Sequence, residues 1–384
     1  MSKSLIRKRS TSSLSKHETN ISGVSLREGK NSVVRCRRYQ QILESVNIYM
    51  SQPESHLRSI QTDKALCQKL LKKEQSVSKD SLFNDDLFES TCEDIANRNE
   101  ARVIQDIGRL IVLASEELFR REAKHLKHLV EIVNESWIKF ISLVKGSRSQ
   151  PDFAVEVKPS AFIADQLKKL QLSVDDWQTT SRLIATDEMY FSFLTAKVKC
   201  DNEALHIADR QNAHSVAVAT NAIVELYRLV SRQDELNQKI LTFSILHDNE
   251  AVRMYGHYAL IKRKHTLFYR HPIKKFDFIS EDGEEKWTSY KFTRNVLKIF
   301  YSIHHERICF VVDQLLNSED FAVKFFFQQS NFEFFEQNDS QLTISRSQQT
   351  ESELPSSQTS EPVLKKSKRK GINFWQILKS RLSN

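Results

Sequence analysis

The chain has 384 residues, of which 40% are hydrophobic, with 23 phenylalanines against only 7 glycines and 6 prolines, and a net charge of +8. That composition supports a buried core and excludes collagenous, membrane-spanning and wholly disordered chains. Residues 1–40 hold an excess of about eight positive charges and residues 361–384 about six. The middle is therefore mildly acidic, and long-range attraction for polyanions is expected in the tails.

Residues 1–40 are rich in Ser, Thr, Lys and Arg and read as a disordered basic tail. Between Cys36 and about Asn97 lie apolar fragments (Tyr39, Ile42, Leu43, Val46 and Ile48, then Leu66, Leu70 and Leu71) separated by serine-rich breaks, which predicts a weakly structured region of short helices over residues 41–99. From Glu100 the pattern strengthens. Val103, Ile104, Ile107, Leu110, Ile111 and Leu118 predict one helix, and Leu126, Leu129, Val130, Ile132, Val133, Trp137 and Phe140 a second.

After a break at Gly146–Gln150, residues 151–157 alternate as a strand does. A helical stretch around Phe162–Leu170 follows, then a buried strand from Met189 to Lys199. A long helix over about Glu203–Arg232 carries a wide alanine-rich face. Ile240–Leu246, Val252–Leu260 and Leu267–Phe278 read as a meander, and Trp287–Leu315 returns to helical spacing. Residues 336–384 are a polar linker ending in the basic run Lys365–Lys370, which predicts nuclear import, and a short amphipathic helix, Phe374–Leu382, suited to a protein partner's groove.

The five cysteines (Cys36, Cys67, Cys92, Cys200, Cys309) lack a CxxC pair and read as reduced thiols. Cys200 with His206 or His214 lacks a second ligand pair for zinc. No run of about eighteen apolar residues occurs, and the basic N-terminus has no apolar stretch after it, so neither a membrane partner nor secretion is expected.

The chemistry-bearing pattern lies in the middle. Pro151-Asp152 opens one strand, Lys197-Val198-Lys199 closes another, and Gln211 sits on the long helix. In a PD-(D/E)XK site, an aspartate at the first strand and an acid on the next hold divalent cations through hard oxygen ligands. The lysine two residues after the acid shares its strand face and stabilises the hydroxide or the phosphorane charge. Glu156-Val157-Lys158 also spells ExK, but it follows Asp152 on the same strand and reads as coincidence.

Longer segments carry a resemblance. They include Arg102–Val112, His125–Glu131, Pro151–Val155, Met189–Phe191, Ile207–Ser215, Tyr255–Tyr258, Phe268–Ile273 and Lys286–Thr293. Together they resemble an uncharacterised fungal domain family with a PD-(D/E)XK nuclease-like core, over about residues 100–315. The resemblance implies a restriction-endonuclease-like α/β (α+β) domain over residues 100–335, with a small mixed sheet flanked by helices. It also implies catalytic positions Asp152, Lys199 and Gln211, with Asp152 as a metal ligand and magnesium the cofactor of an active version. The family strand carries glutamate where this chain has Lys197. Exchanging an anion for a cation moves the local charge by two units and disfavours a divalent metal. Glu131, Glu135, Glu156, Glu188 and Glu203 are the carboxylates that could replace it.

The expected function is thus a nuclear, nuclease-like protein that binds DNA or RNA and is catalytically impaired. The alternative is a non-catalytic protein-interaction module. Lys262, Arg263, Lys264, Arg270, Lys274 and Lys275, interleaved with Phe268, Tyr269 and Phe276, have the composition of a phosphate-backbone grip.

Overall fold

The computed structural model describes residues 38–53, 61–173, 180–200, 205–263 and 265–316. The expected tails, the Lys365–Lys370 run, the Phe374–Leu382 helix, Cys36, Glu203 and Lys264 lie outside them.

One seven-stranded sheet organises the domain, in the order β1-β2-β4-β5-β6-β7 with β3 paired to β4. The strands are β1 (Leu129–Val133), β2 (Phe153–Val157), β3 (Ile184–Thr186), β4 (Met189–Val198), β5 (Ile240–His247), β6 (Ala251–Lys262) and β7 (His265–Asp277). Every pairing is antiparallel except β4 with β5, which is parallel. A parallel neighbour requires a crossover. The expected long helix, observed at Leu205–Leu229, supplies it.

In chain order the principal helices are α1 (Tyr39–Ser45), α2 (Gln61–Lys72), α3 (Asp85–Ile95), α4 (Glu100–Val103), α5 (Ser115–Arg121), α6 (Ala164–Leu172), α7 (Leu205–Leu229), α8 (Thr288–Asn295) and α9 (Tyr301–Val312). α4 runs on through a π-helical turn, Ile104–Gly108, into Arg109–Ile111. α7 lies on one face of the sheet. Its Asn212 accepts from Thr195 Oγ1 at 2.7 Å and donates to the Ile245 carbonyl at 2.9 Å, and Thr220 meets Thr242 at 2.7 Å. α8 and α9 cover the other face, where the Phe243 ring packs edge-on against Phe292 and Phe300. With both faces covered, all five residues of β2 are buried.

A mixed sheet flanked by helices is what the sequence leads one to expect, but three segments differ, the first being the single helix expected over Val103–Leu118, which is broken at Val112–Ala114 between the continuation of α4 and α5. The helix expected over residues 126–140 is a 3-10 turn (Lys124–His128), then β1, then irregular chain. The 3-10 turn supplies the helix-like spacing at Leu126 and Leu129, and Asn134 ends the strand at φ 53°. Residues 41–99, expected to be weakly structured, are built into the core. Leu43, Leu70, Phe83 and Ile95, with Tyr39 just before this segment, are fully buried in the main cluster. Asn295 Nδ2 donates to the carbonyls of Leu70 and Lys73 at 2.8 and 2.7 Å. The Tyr49 N–H donates to the Phe268 carbonyl at 2.9 Å, and the Phe268 N–H to that of Asn47 at 2.8 Å, so residues 47–49 line the edge of β7.

Candidate functional site

Pro151 and Asp152, both buried, lead into β2, and the π-helical continuation of α4 packs closely against its first residue, Phe153. A Cβ on Gly108 would lie 3.0 Å from the Phe153 ring, so glycine lets the helix sit directly against the start of the strand. The Asp152 N–H donates to the Ala196 carbonyl at 3.0 Å, and the Asp152 carbonyl accepts from Asn134 at 2.8 Å. Because Phe153 pairs with Ala196, the next step outward sets Asp152 across from residue 197, on the same sheet face.

Residue 197 is the lysine. Its ammonium donates to Asp152 Oδ1 and, at 3.2 Å, to the Gln150 carbonyl. Asp152 Oδ2 accepts the Val198 N–H at 2.7 Å. The two side chains are 13% and 6% exposed, so this is a nearly buried ion pair whose carboxylate has a donor on each oxygen. Lys199 lies two residues on, on the same face, and pairs with Glu100 in the first turn of α4. Glu100 is 40% exposed, which leaves this second pair open to solvent.

Gln211 is one residue from the sheet-facing Asn212. It lies about 200° around the helix from Asp209, which points toward β7 and Arg270. Gln211 is therefore on the flank away from β7, and its Oε1 is buried without a hydrogen-bond partner. His247, paired with Val198 across the parallel ladder, is completely buried. Its Nδ1 lies 3.0 Å from the Asp248 carbonyl and its Nε2 has no partner. Burial lowers its pKa, opposed by the Asp248 carbonyl and by the Asp248 and Asp152 carboxylates.

This donor set does not fit a divalent cation. The position opposite Asp152 is filled by a bonded ammonium, and among the described residues no group of three or more His, Cys, Asp or Glu side chains is gathered to hold a metal. Nor is the missing acid replaced from nearby. Glu131 is on β1 and accepts the Ser115 N–H at 3.0 Å. Glu135 is exposed in the loop after β1, and Glu188 is exposed at the opposite end of β4. Glu156 is completely buried, about 13 Å along β2 from Asp152 at the usual rise per residue. Its pKa is raised to about 8 by burial, with Trp137 the neighbouring donor and Glu135 adding repulsion. Lys158 turns away from Glu156 toward Glu116, at 3.6 Å.

Two site members carry no motif in the sequence. Glu100 is visible there only as the start of a helix after Asn99, and His247 only as part of a turn. His206 is exposed whereas His214 is buried, bonded to Ser142 at 3.1 Å and lowered to about 4 by burial, so the two do not converge.

The residues of the expected phosphate grip are dispersed. Lys262 and Arg263 are exposed at the β6–β7 turn. Lys275 is twelve residues from Arg263, roughly 40 Å along an extended strand. Arg270 is clamped by Asp209, donates to the Met50 carbonyl at 2.7 Å and stacks on Tyr255, 4.0 Å from the ring centre. Lys274 pairs with Glu285.

Fold and site define a mixed α/β domain with two lysine–carboxylate pairs at the open end of its central strands. The chain belongs to the family described as a domain of unknown function (DUF7924), whose model matches residues 87–312. No curated protein matches the chain.

Proposed function

We propose that this protein binds nucleic acid through a nuclease-like core whose metal site is closed by its own lysine. Several features support the nuclease-like reading. A helix (α4) precedes three antiparallel strands (β1, β2, β4), and a crossover helix (α7) leads to a parallel fourth strand (β5). That is the order a PD-(D/E)XK core requires. Asp152, residue 197 and Lys199 share a face, and Gln211 is on the flank of α7 away from β7.

The observation that carries the proposal is the Lys197–Asp152 pair. The ammonium supplies, as a single charge, the compensation that a divalent ion would otherwise bring to Asp152. A second cation would have to displace it against like-charge repulsion. With no metal to lower the pKa of a water molecule, this site has no activated nucleophile for a phosphodiester. Lys199 and the Gln211 amide remain for contact with a bound strand, and the basic tails supply long-range attraction. The Lys365–Lys370 run favours a nuclear setting.

The test compares wild type, Asp152→Ala, Lys197→Glu and Lys197→Glu/Asp152→Ala on DNA and RNA with magnesium or manganese. Wild type is expected to bind without cutting. Lys197→Glu is expected to cut only with metal, and the double variant not at all. Cutting by wild type that Asp152→Ala abolishes would overturn the closed-site reading, and absence of nucleic-acid binding at low salt would overturn the function.

A further inference from the structure

The ladder register carries the site's row across the sheet. Lys197 pairs with Leu246, Leu246 with Arg253, and Arg253 with Lys275. Directly paired residues share a face, so Lys197, Arg253 and Lys275 all lie on the α7 side. Leu246 is buried beneath Leu205 and Ala208 in the first turn of α7. The start of the helix thus stands over the middle of the row, with Lys197 and Lys199 on one side and Arg253 and Lys275 on the other. Lys274, one residue from Lys275, points to the opposite face and pairs with Glu285.

Arg253 and Lys275 are unusual neighbours. Like charges directly opposite on adjacent strands repel, and among the described residues no ion pair engages either of them. The nearest carboxylate in register, Asp277, accepts the N–H groups of Ile279 and Ser280 at 2.8 and 2.9 Å. Arg253 reaches the Tyr255 hydroxyl, while its Nε is buried without an acceptor. Lys275 is exposed. An anion between the two side chains would relieve the repulsion and give Nε an acceptor.

We infer that Arg253 and Lys275 form a second contact for the phosphodiester backbone of a nucleic-acid strand crossing the start of α7 from the Lys197–Lys199 side. From β4 to β7 is three strand spacings, about 14 Å. That equals roughly four nucleotides at the rise per strand of B-form DNA. The inference rests on the proposed nucleic-acid binding and adds where the strand runs.

The experiment measures binding of the full chain to single-stranded and duplex oligonucleotides over a salt series. It compares wild type, Lys275→Gln, Arg253→Gln/Lys275→Gln and, as a matched control, Lys72→Gln/Lys73→Gln, two exposed lysines at the end of α2. Each lost phosphate contact lowers the slope of log affinity against log salt by about 0.7 for a single strand and about 0.9 for a duplex. Lys275→Gln is expected to lose one such step and the Arg253/Lys275 pair two, with the control unchanged. Because Lys275 is exposed, its variant keeps the fold. Equal slopes in wild type and Lys275→Gln, or equal losses in the Arg253/Lys275 and control pairs, would overturn the contact while leaving nucleic-acid binding intact. No binding by wild type would overturn both.

Discussion

The two ends of β2 each bury a carboxylate and accommodate it in different ways. At the open end, Asp152 meets the Lys197 ammonium and the Val198 N–H. In the interior, Glu156 has neither oxygen bonded in good geometry and is raised to about 8 by burial. One group keeps its charge because the chain brings a cation to it, and the other keeps its proton at neutral pH. The comparison shows why a carboxylate letter at ExK spacing is not a metal ligand. A carboxylate ligand must be ionised and face an open coordination position, whereas Glu156, raised to about 8, holds its proton at pH 7 and Asp152 is already engaged.

The largest expected effect that tests this contrast is the pH dependence carried by Glu156. Its folded pKa of about 8 lies above the ordinary glutamate value of about 4.3, so the folded state holds its proton more tightly than the unfolded state. The contribution is fully present below pH ~4.3, declines as pH rises, and is lost once pH passes about 8; linkage bounds the loss at about 5 kcal/mol. Glu156→Gln removes this dependence. Urea denaturation from pH 5 to 9 is expected to show the variant gaining on wild type as pH rises. Parallel stability profiles would show that Glu156 is charged in the fold.

At the Asp152 end the expected effect lies in the bonded partner, Lys197. Lys197→Ala leaves a nearly buried carboxylate with one backbone donor, and stripping one member from a buried pair costs about 3–5 kcal/mol. Adding Asp152→Asn is expected to recover most of the loss, since the orphaned charge goes with it. If the single variant is as stable as wild type at pH 7, the pair does not compensate Asp152.

How much of this contrast can be read from the letters depends on separation along the chain. β2, β4 and the β5–β7 meander show themselves through alternation or short apolar runs, and α7 through its alanine-rich face, because those periodicities are local. β1 does not, since a 3-10 turn running into a five-residue strand imitates helical spacing. The docking of α1 to α3 depends on bonds such as Asn295 to Leu70, 225 positions apart, which no local pattern encodes. At the site, Asp152, Lys197, Lys199 and Gln211 are singled out by order and resemblance. Glu100 is missed because its bond to Lys199 spans 99 positions, and the Glu156-Val157-Lys158 spelling is read as coincidence only because it shares a strand with Asp152.

The smallest effect separates the two lysines of the KxK run. Lys199 pairs with a carboxylate that is 40% exposed, whereas the partner of Lys197 is 6% exposed. Water screens the outer pair, and exposed pairs contribute under about 1 kcal/mol. Lys199→Ala is therefore expected to change stability by no more than that, with the small loss fading in high salt, while Lys197→Ala keeps most of its penalty because a nearly buried pair is screened far less. A salt titration of both variants by chemical denaturation checks the difference. Were Lys199→Ala to cost as much as Lys197→Ala, the Glu100 pair would be part of the structural core. Lys199 would then no longer suit the role proposed for it, exchanging its carboxylate for a phosphate. A small, salt-sensitive loss leaves it in that role, because the partner it must release is the one water already reaches.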